Sequence, residues 1–158
     1  MSAKVSMTRE ILVHPDYRLR IKAKPVSILN STIPALIEEM REIMVSHNGM
    51  GLAAPQIDVS LEVAVFNYKP FYMINPIIIK VSGELVLHPE SCLSVPGRSG
   101  EVERPDKVKV RYWEYDGTIR EGVFKGYEAF CIQHEIDHFR GCLYLDKIKE
   151  NSDELGSD

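Results

Sequence analysis

The sequence predicts an α+β protein, with mostly antiparallel β-sheets wrapped around a central helix and one further helix toward the N-terminus. Three observations predict it. Ile33, Leu36, Ile37, Met40, Ile43 and Met44 recur at helical spacing. Residues 61–124 read as short alternating runs broken by Gly, Asn and Pro. A second helical stretch, opened by Gly126 and closed by Gly141, carries Gln133-His134-Glu135-Ile136-Asp137-His138.

Taken in order, Arg9 to Val13 is a short apolar run, read as a first strand, and His14-Pro15-Asp16 stops it with a turn signal. Residues 17–30 read as irregular. Ser31 or Thr32 is the expected N-cap of the first helix, Pro34 is tolerated in its first turn, and Asn48-Gly49 ends it. Its Met and Ile stripe is core.

Gly49-Met50-Gly51-Leu52-Ala53-Ala54-Pro55-Gln56 formally matches the dinucleotide fingerprint G-x-G-x-x-A. The context excludes that reading. The segment follows a helix rather than a strand, Pro55 would cut the helix that a phosphate needs, and Lys69-Pro70 stands near the place of the ribose-binding acid. Gly49, Gly51 and the two alanines instead describe backbone lying close to a neighbour. They either pack beneath a sheet or hold the Gln56 amide where it can donate to an oxyanion.

Leu61 to Phe66 then alternates, Phe71 to Ile74 and Ile77 to Val81 flank Asn75-Pro76, and Gly83 marks a turn before Glu84 to Leu87. His88 to Gly97, with two prolines and a glycine, is a shaped loop or strand end of the kind that holds functional residues. Val108, Val110 and Tyr112 lead to Asp116-Gly117 and Thr118 to Phe124 returns, which makes a hairpin.

Composition bounds the function. At 158 residues and 44% hydrophobic content, the chain holds one domain, expected over residues 1–146, with an acidic tail over 147–158 expected to be disordered. The formal charge of -4 leaves no basic footprint for DNA, so contact with RNA or a ribosome would need a local patch. No apolar run is long enough to span a membrane, and Met1 to Met7 has no secretory core, so a cytoplasmic monomer is expected. Cys92, Cys131 and Cys142 are an odd number without an export signal, which argues for thiols.

His134 and His138 lie one above the other on one helix face and can converge on a metal ion. Glu135 sits beside that ion. A divalent ion lowers the pKa of bound water from about 15.7 to about 7, and a neighbouring carboxylate can take and return the proton, which is hydrolytic chemistry. The bland alternative is a satisfied, partly buried histidine pair, and the inserted Glu135 weighs against it.

A third ligand is needed. A metzincin would place a histidine six residues after His138, where Tyr144 stands. Cys131 falls near the histidine face, but helical side chains tilt toward the N-terminus, so its short side chain points away from the ion. Cys142 lies beyond Gly141. Cys92 can approach the helix from outside and complete a Cys-His-His set with one position left for water.

Three motifs together, Gly49 to Gln56, Glu90-Ser91-Cys92-Leu93-Ser94 and His134 to His138, resemble the peptide deformylases across roughly residues 9–146. The resemblance implies an enzyme that removes the formyl group from N-formylmethionyl nascent peptides at the ribosome. It implies Fe²⁺ as the physiological ion, replaced by Zn²⁺, Ni²⁺ or Co²⁺ in preparations. By the same resemblance Cys92, His134 and His138 hold the metal, a metal-bound hydroxide attacks the formyl carbon, and Glu135 transfers the proton. The Gln56 side chain and the Leu93 N–H take the oxyanion. Met50, Tyr127, Phe130 and Cys131, with Gly49, Gly51, Glu90 and Ser91, fall where the family binds substrate. Glu90 orients a metal histidine, with Arg104 as its counter-charge.

Ser91 replaces a glycine usual in the family, His88 stands at a commonly apolar position, and no long C-terminal helix follows the motif helix. Ser91 is therefore expected either to carry a positive φ under strain or to turn its hydroxyl to the substrate groove. Two other function classes are a zincin-like metallopeptidase, which a ligand downstream of His138 would support, and a non-catalytic metal-stabilised binding module, which four protein ligands would support.

Overall fold

The computed structural model describes residues 9–27 and 30–149. It contains helices α1 (Ile33–Ser46) and α2 (Gly126–Phe139) and strands β1 (Gly51–Ala53), β2 (Val63–Phe66), β3 (Tyr72–Cys92), β4 (Val95–Trp113) and β5 (Ile119–Lys125). The strands form one sheet in the order β1-β2-β3-β4-β5, every neighbouring pair antiparallel. This is the α+β architecture expected.

α1 starts without a side-chain cap on Thr32. Asn30 performs the task instead, its Oδ1 accepting from the Thr32 N–H at 3.0 Å and the Thr32 hydroxyl at 2.6 Å. At the other end Asn48 takes φ 56°, a left-handed turn that asparagine tolerates, and the Gly49 N–H closes on the Met44 carbonyl at 2.8 Å. The stripe of Ile33, Met40, Ile43 and Met44 packs on Leu52, Val63, Val65 and Ile74.

The middle of the chain differs from the reading in short strands. Residues 72–92 run as one strand, and Asn75 and Gly83 sit at irregularities within it rather than at turns between strands. A bulge inserts an unpaired residue and bends the strand without ending it, so turn-forming residues can lie inside a strand. Gly83 takes φ 76°, and a Cβ there would collide with the Asp106 carboxylate. The segment expected as a first strand, residues 9–13, is not one. It is extended and bonds through the Leu12 N–H to the Gln56 carbonyl at 2.7 Å, while His14 bonds to Ser94 at 2.8 Å. The irregular stretch contains a 3-10 turn at Tyr17–Arg20.

α2 is buried on nearly every side. Ala129, Ile132, Ile136 and Phe139 pack against Val108, Val110 and Phe124 of the sheet. Its C-terminus closes with Gly141 at φ 76°, the Cys142 N–H reaching the Asp137 carbonyl and the Gly141 N–H that of His138. Past the expected tail boundary, Ile148 still bridges Val102 and the Lys149 N–H bonds to the Glu101 carbonyl. The rest of that tail, 150–158, lies outside the described residues.

Candidate metal and catalytic site

Three elements meet at one groove of about 430 Å³: the β1 segment, the turn between β3 and β4, and α2. Leu93 and Ser94 form that turn, with Cys92 paired to Val95 at its base. The turn therefore presents Cys92 from a strand end, over the face of α2 that carries His134 and His138.

The Cys92 Sγ lies 3.5 Å from the His138 Nε2, and ligand atoms of Cys92, His134 and His138 all fall within 4.8 Å of one another. Among the described residues this is the one set of three such ligand atoms gathered so closely. Cys131 and Cys142 stand apart from it as free thiols, and among the described residues no carboxylate downstream of His138 joins it. A thiolate with two imidazoles suits zinc or a first-row transition ion. The fit is supported from behind: the His134 Nδ1 contacts the Glu90 Oε1 at 2.9 Å, which turns its Nε2 toward the other two ligands.

Glu90 is itself held. Arg104 reaches both its oxygens, through Nε and through Nη2 at 2.9 Å, and its Nη1 bonds to the Asp137 Oδ2 at 3.0 Å. Burial alone would raise the Glu90 pKa, but the hydrogen bonds from His134 and Arg104 outweigh it and bring the carboxyl down to about 2. Glu135 has the opposite balance. Burial pushes it up to about 7, with His134 offsetting only part, and its Oε1 is buried without a hydrogen-bond partner. A carboxyl with a pKa near neutrality and a free oxygen in the groove is suited to taking and returning a proton.

Gln56 is 1% exposed and held at both ends of its amide. Its Oε1 accepts from the Ala53 N–H at 2.9 Å, while its Nε2 donates to the Ser94 hydroxyl at 3.1 Å and faces the Cys92 sulfur at 3.5 Å. That orientation leaves the NH2, and not the carbonyl, toward the candidate ion. Gly51 shows why the preceding segment is small: a Cβ there would stand 2.6 Å from the Glu135 Oε2. At Gly49 it would meet the Leu93 side chain.

Met50, Ser91, Leu93, Tyr127, Phe130 and Cys131 line the same groove. Burial pushes the Cys131 thiol up to about 11, which keeps it protonated and unreactive. Ser91 is exposed and is not among the positive-φ residues, so the strained reading of this position is removed. Sequence reasoning gave no role to four neighbours. Ser94 anchors the Gln56 amide, Asp137 takes Arg104 and Lys147, Tyr144 stacks over His134 with centroids 6.2 Å apart, and His88 stacks on Phe130 at 3.9 Å. Ser94 and Asp137 lay inside the quoted motifs, whereas nothing in the sequence pairs Tyr144 with His134.

Comparison with known proteins gives consistent matches. Residues 8–154 match the family model described as polypeptide deformylase. A peptide deformylase of Bradyrhizobium sp. (strain ORS 278) is 40% identical over 153 residues, covering 90% of this chain and 87% of that protein. The crystal structure of a Synechococcus elongatus peptide deformylase in complex with actinonin superposes with a TM-score of 0.89 at 36% identity, over 99% of this chain and 88% of that one. The Thermotoga maritima peptide deformylase gives 0.87 at 36% identity, over 92% and 100%.

Proposed function

The chain belongs to the polypeptide deformylase family and is accordingly a metal-dependent hydrolase of formylated peptides; we propose that it removes the formyl group from N-formylmethionyl nascent chains at the ribosome, in the cytoplasm, through the groove between β1, the β3–β4 turn and α2. The observation that carries the reading is the convergence of Cys92, His134 and His138 beside a buried Glu135 that has a free oxygen.

Cys92, His134 and His138 are the residues that would hold the ion, with Fe²⁺ as the physiological metal and Zn²⁺, Ni²⁺ or Co²⁺ able to take its place. When bound, the ion would supply Lewis acidity, lowering the pKa of the attacking water. Glu135 accepts a proton from the attacking water and delivers it to the departing amine. As the formyl carbon becomes tetrahedral, the Gln56 Nε2 and the Leu93 N–H donate to its oxygen. Glu90 keeps the His134 ring in one tautomer and orientation, and Arg104 keeps Glu90 ionised. Met50, Tyr127, Phe130 and Cys131 hold the methionine side chain, whose flexible thioether packs well on such a wall. Ser91, exposed at the groove edge, faces the peptide beyond the methionine.

The test joins two measurements on one preparation: metal content, and formate release from formyl-Met-Ala-Ser. Wild type is expected to carry one equivalent of metal and to release formate. Cys92→Ala is expected to lose both, and Cys131→Ala and Cys142→Ala to lose neither. Full metal and turnover in Cys92→Ala would overturn the ligand assignment. Peptide-bond cleavage without formate would overturn the reaction.

A further inference from the structure

Three cross-strand rows of the sheet gather positive charge on one face. Lys107, Lys109 and Arg111 alternate along β4 on the face turned away from α2, while Val108 and Val110 between them enter the core. Directly opposite stand Ser82, Lys80 and Ile77 on β3 and Lys125, Val123 and Glu121 on β5. The bulges of β3 fall between these pairs and leave each pair side by side. The rows thus hold five cations, Lys80, Lys107, Lys109, Arg111 and Lys125, against the one carboxylate of Glu121, in a chain whose formal charge is -4.

The arrangement is unfavourable in the free protein. Lys80 faces Lys109 and Lys107 faces Lys125, and like charges directly opposite destabilise a sheet. Glu121 reaches Lys109 at 3.6 Å and Arg111 at 2.8 Å. Lys80, Lys107 and Lys125 have no ion-pair partner among the described residues. Asp106 and Glu84 bound the patch past Ser82, where the Glu84 N–H donates to the Asp106 Oδ1 at 3.0 Å.

We propose that this face is an interaction surface for the phosphate backbone of duplex RNA. Its unpaired lysines lack an anion, and lysine, a point charge on a flexible stem, meets phosphates without a fixed geometry. Residues two apart on a strand stand about 7 Å apart and neighbouring strands about 5 Å, so the rows spread their cations over a patch that spans several phosphates of a duplex. None of the residues in the three rows is aromatic, so the face has no platform on which single-stranded bases could stack. A sheet face also carries nothing to enter the major groove of B-form DNA, whereas A-form RNA presents a wide, shallow minor groove flanked by phosphates. This is the local patch that contact with RNA requires in a chain of this net charge. None of the five cations lines the groove, so RNA on this face leaves the groove residues free.

The proposal does not depend on the deformylase reading. Titrating the full chain into a fluorescent RNA duplex of about 16 base pairs, read by anisotropy, tests it. Wild type is expected to bind, with the logarithm of its affinity falling against that of salt at a slope of about -3, the value for three neutralised phosphates. Lys107→Gln with Lys125→Gln removes two of the three unpaired lysines. It should weaken binding about tenfold or more and flatten the slope to about -1, while the Tm holds or rises because an opposed lysine pair is gone. Lys22→Gln with Lys24→Gln removes the same charge from exposed positions off this face and should change binding by less than about twofold. Formate release should be unchanged in both. Absence of binding at about 50 mM salt would overturn the proposal. Equal weakening by the two double variants would overturn it too, because binding would then follow net charge and not this face. So would tighter binding to a DNA duplex of the same sequence or to phosphatidylserine vesicles.

Discussion

At the scale of single residues, the candidate site depends on Glu135 having room and a proton. Glu135→Gln fills the same space but cannot carry the proton. Metal content should therefore persist while kcat falls by about 10² to 10⁴, the usual worth of general acid–base catalysis. Loss of the metal instead would make Glu135 a ligand. Gly51 makes that room, because an added Cβ would press on the Glu135 Oε2. Gly51→Ala is expected to keep its fold and metal and to lose about 10²-fold in kcat, as a displaced catalytic group does. An unchanged kcat would show that β1 yields instead. Ser91 touches the reaction from further away. Its backbone is relaxed, so Ser91→Gly should leave kcat on formyl-Met-Ala unchanged and shift KM more for a formyl-tetrapeptide than for the dipeptide. A uniform shift across that length series would mean that Ser91 acts on Cys92 beside it.

At the scale of elements, the site is a joint between strand and helix, and Arg104 is its pin. From β4 it bonds to Glu90 on β3 and to Asp137 on α2, with its side chain only 3% exposed. Removing one partner of a buried ion network leaves the other charges uncompensated, which commonly costs about 3–5 kcal/mol. Arg104→Met should lose that much in urea unfolding and should also bind metal more weakly, because Glu90 would no longer be fixed behind His134. A loss below about 1 kcal/mol, the range of exposed pairs, would mean that water screens this network.

For the whole molecule, the ion would join parts of the chain that are far apart in sequence. Cys92 comes from the β3–β4 turn and the histidines from α2, so a ligand bound only by the folded state stabilises it by mass action. Stripping the metal with a chelator should lower the Tm, and adding Zn²⁺ or Ni²⁺ should restore it. Cys92→Ala should show the lower Tm with or without added metal. An identical Tm for stripped and loaded wild type would mean that these three residues do not hold an ion in solution.

Much of this protein is determined by local pattern. The 3.6-residue period of Ile33 to Met44 specifies α1 and its buried face, the His134–His138 spacing puts two imidazoles on one face, and Gly141 supplies the left-handed cap that ends α2. Each depends on residues within a turn or two of one another. The fate of residues 71–92 was not legible that way. Asn75 and Gly83 have the same local preferences in a turn as in a bulge, and only pairing with β4 makes them bulges in one long strand. Residues 9–13 look like a strand but never join the sheet, since the Leu12 N–H finds the Gln56 carbonyl and that of His14, just past the segment, finds the Ser94 carbonyl. The same limit applies at the site. Sequence spacing favours Cys92 over the other thiols, but it carries no sign that Tyr144 stacks on His134 or that Ser94 holds the Gln56 amide. Those contacts are made across the fold, where direction and distance are settled by how α2 lies against the sheet.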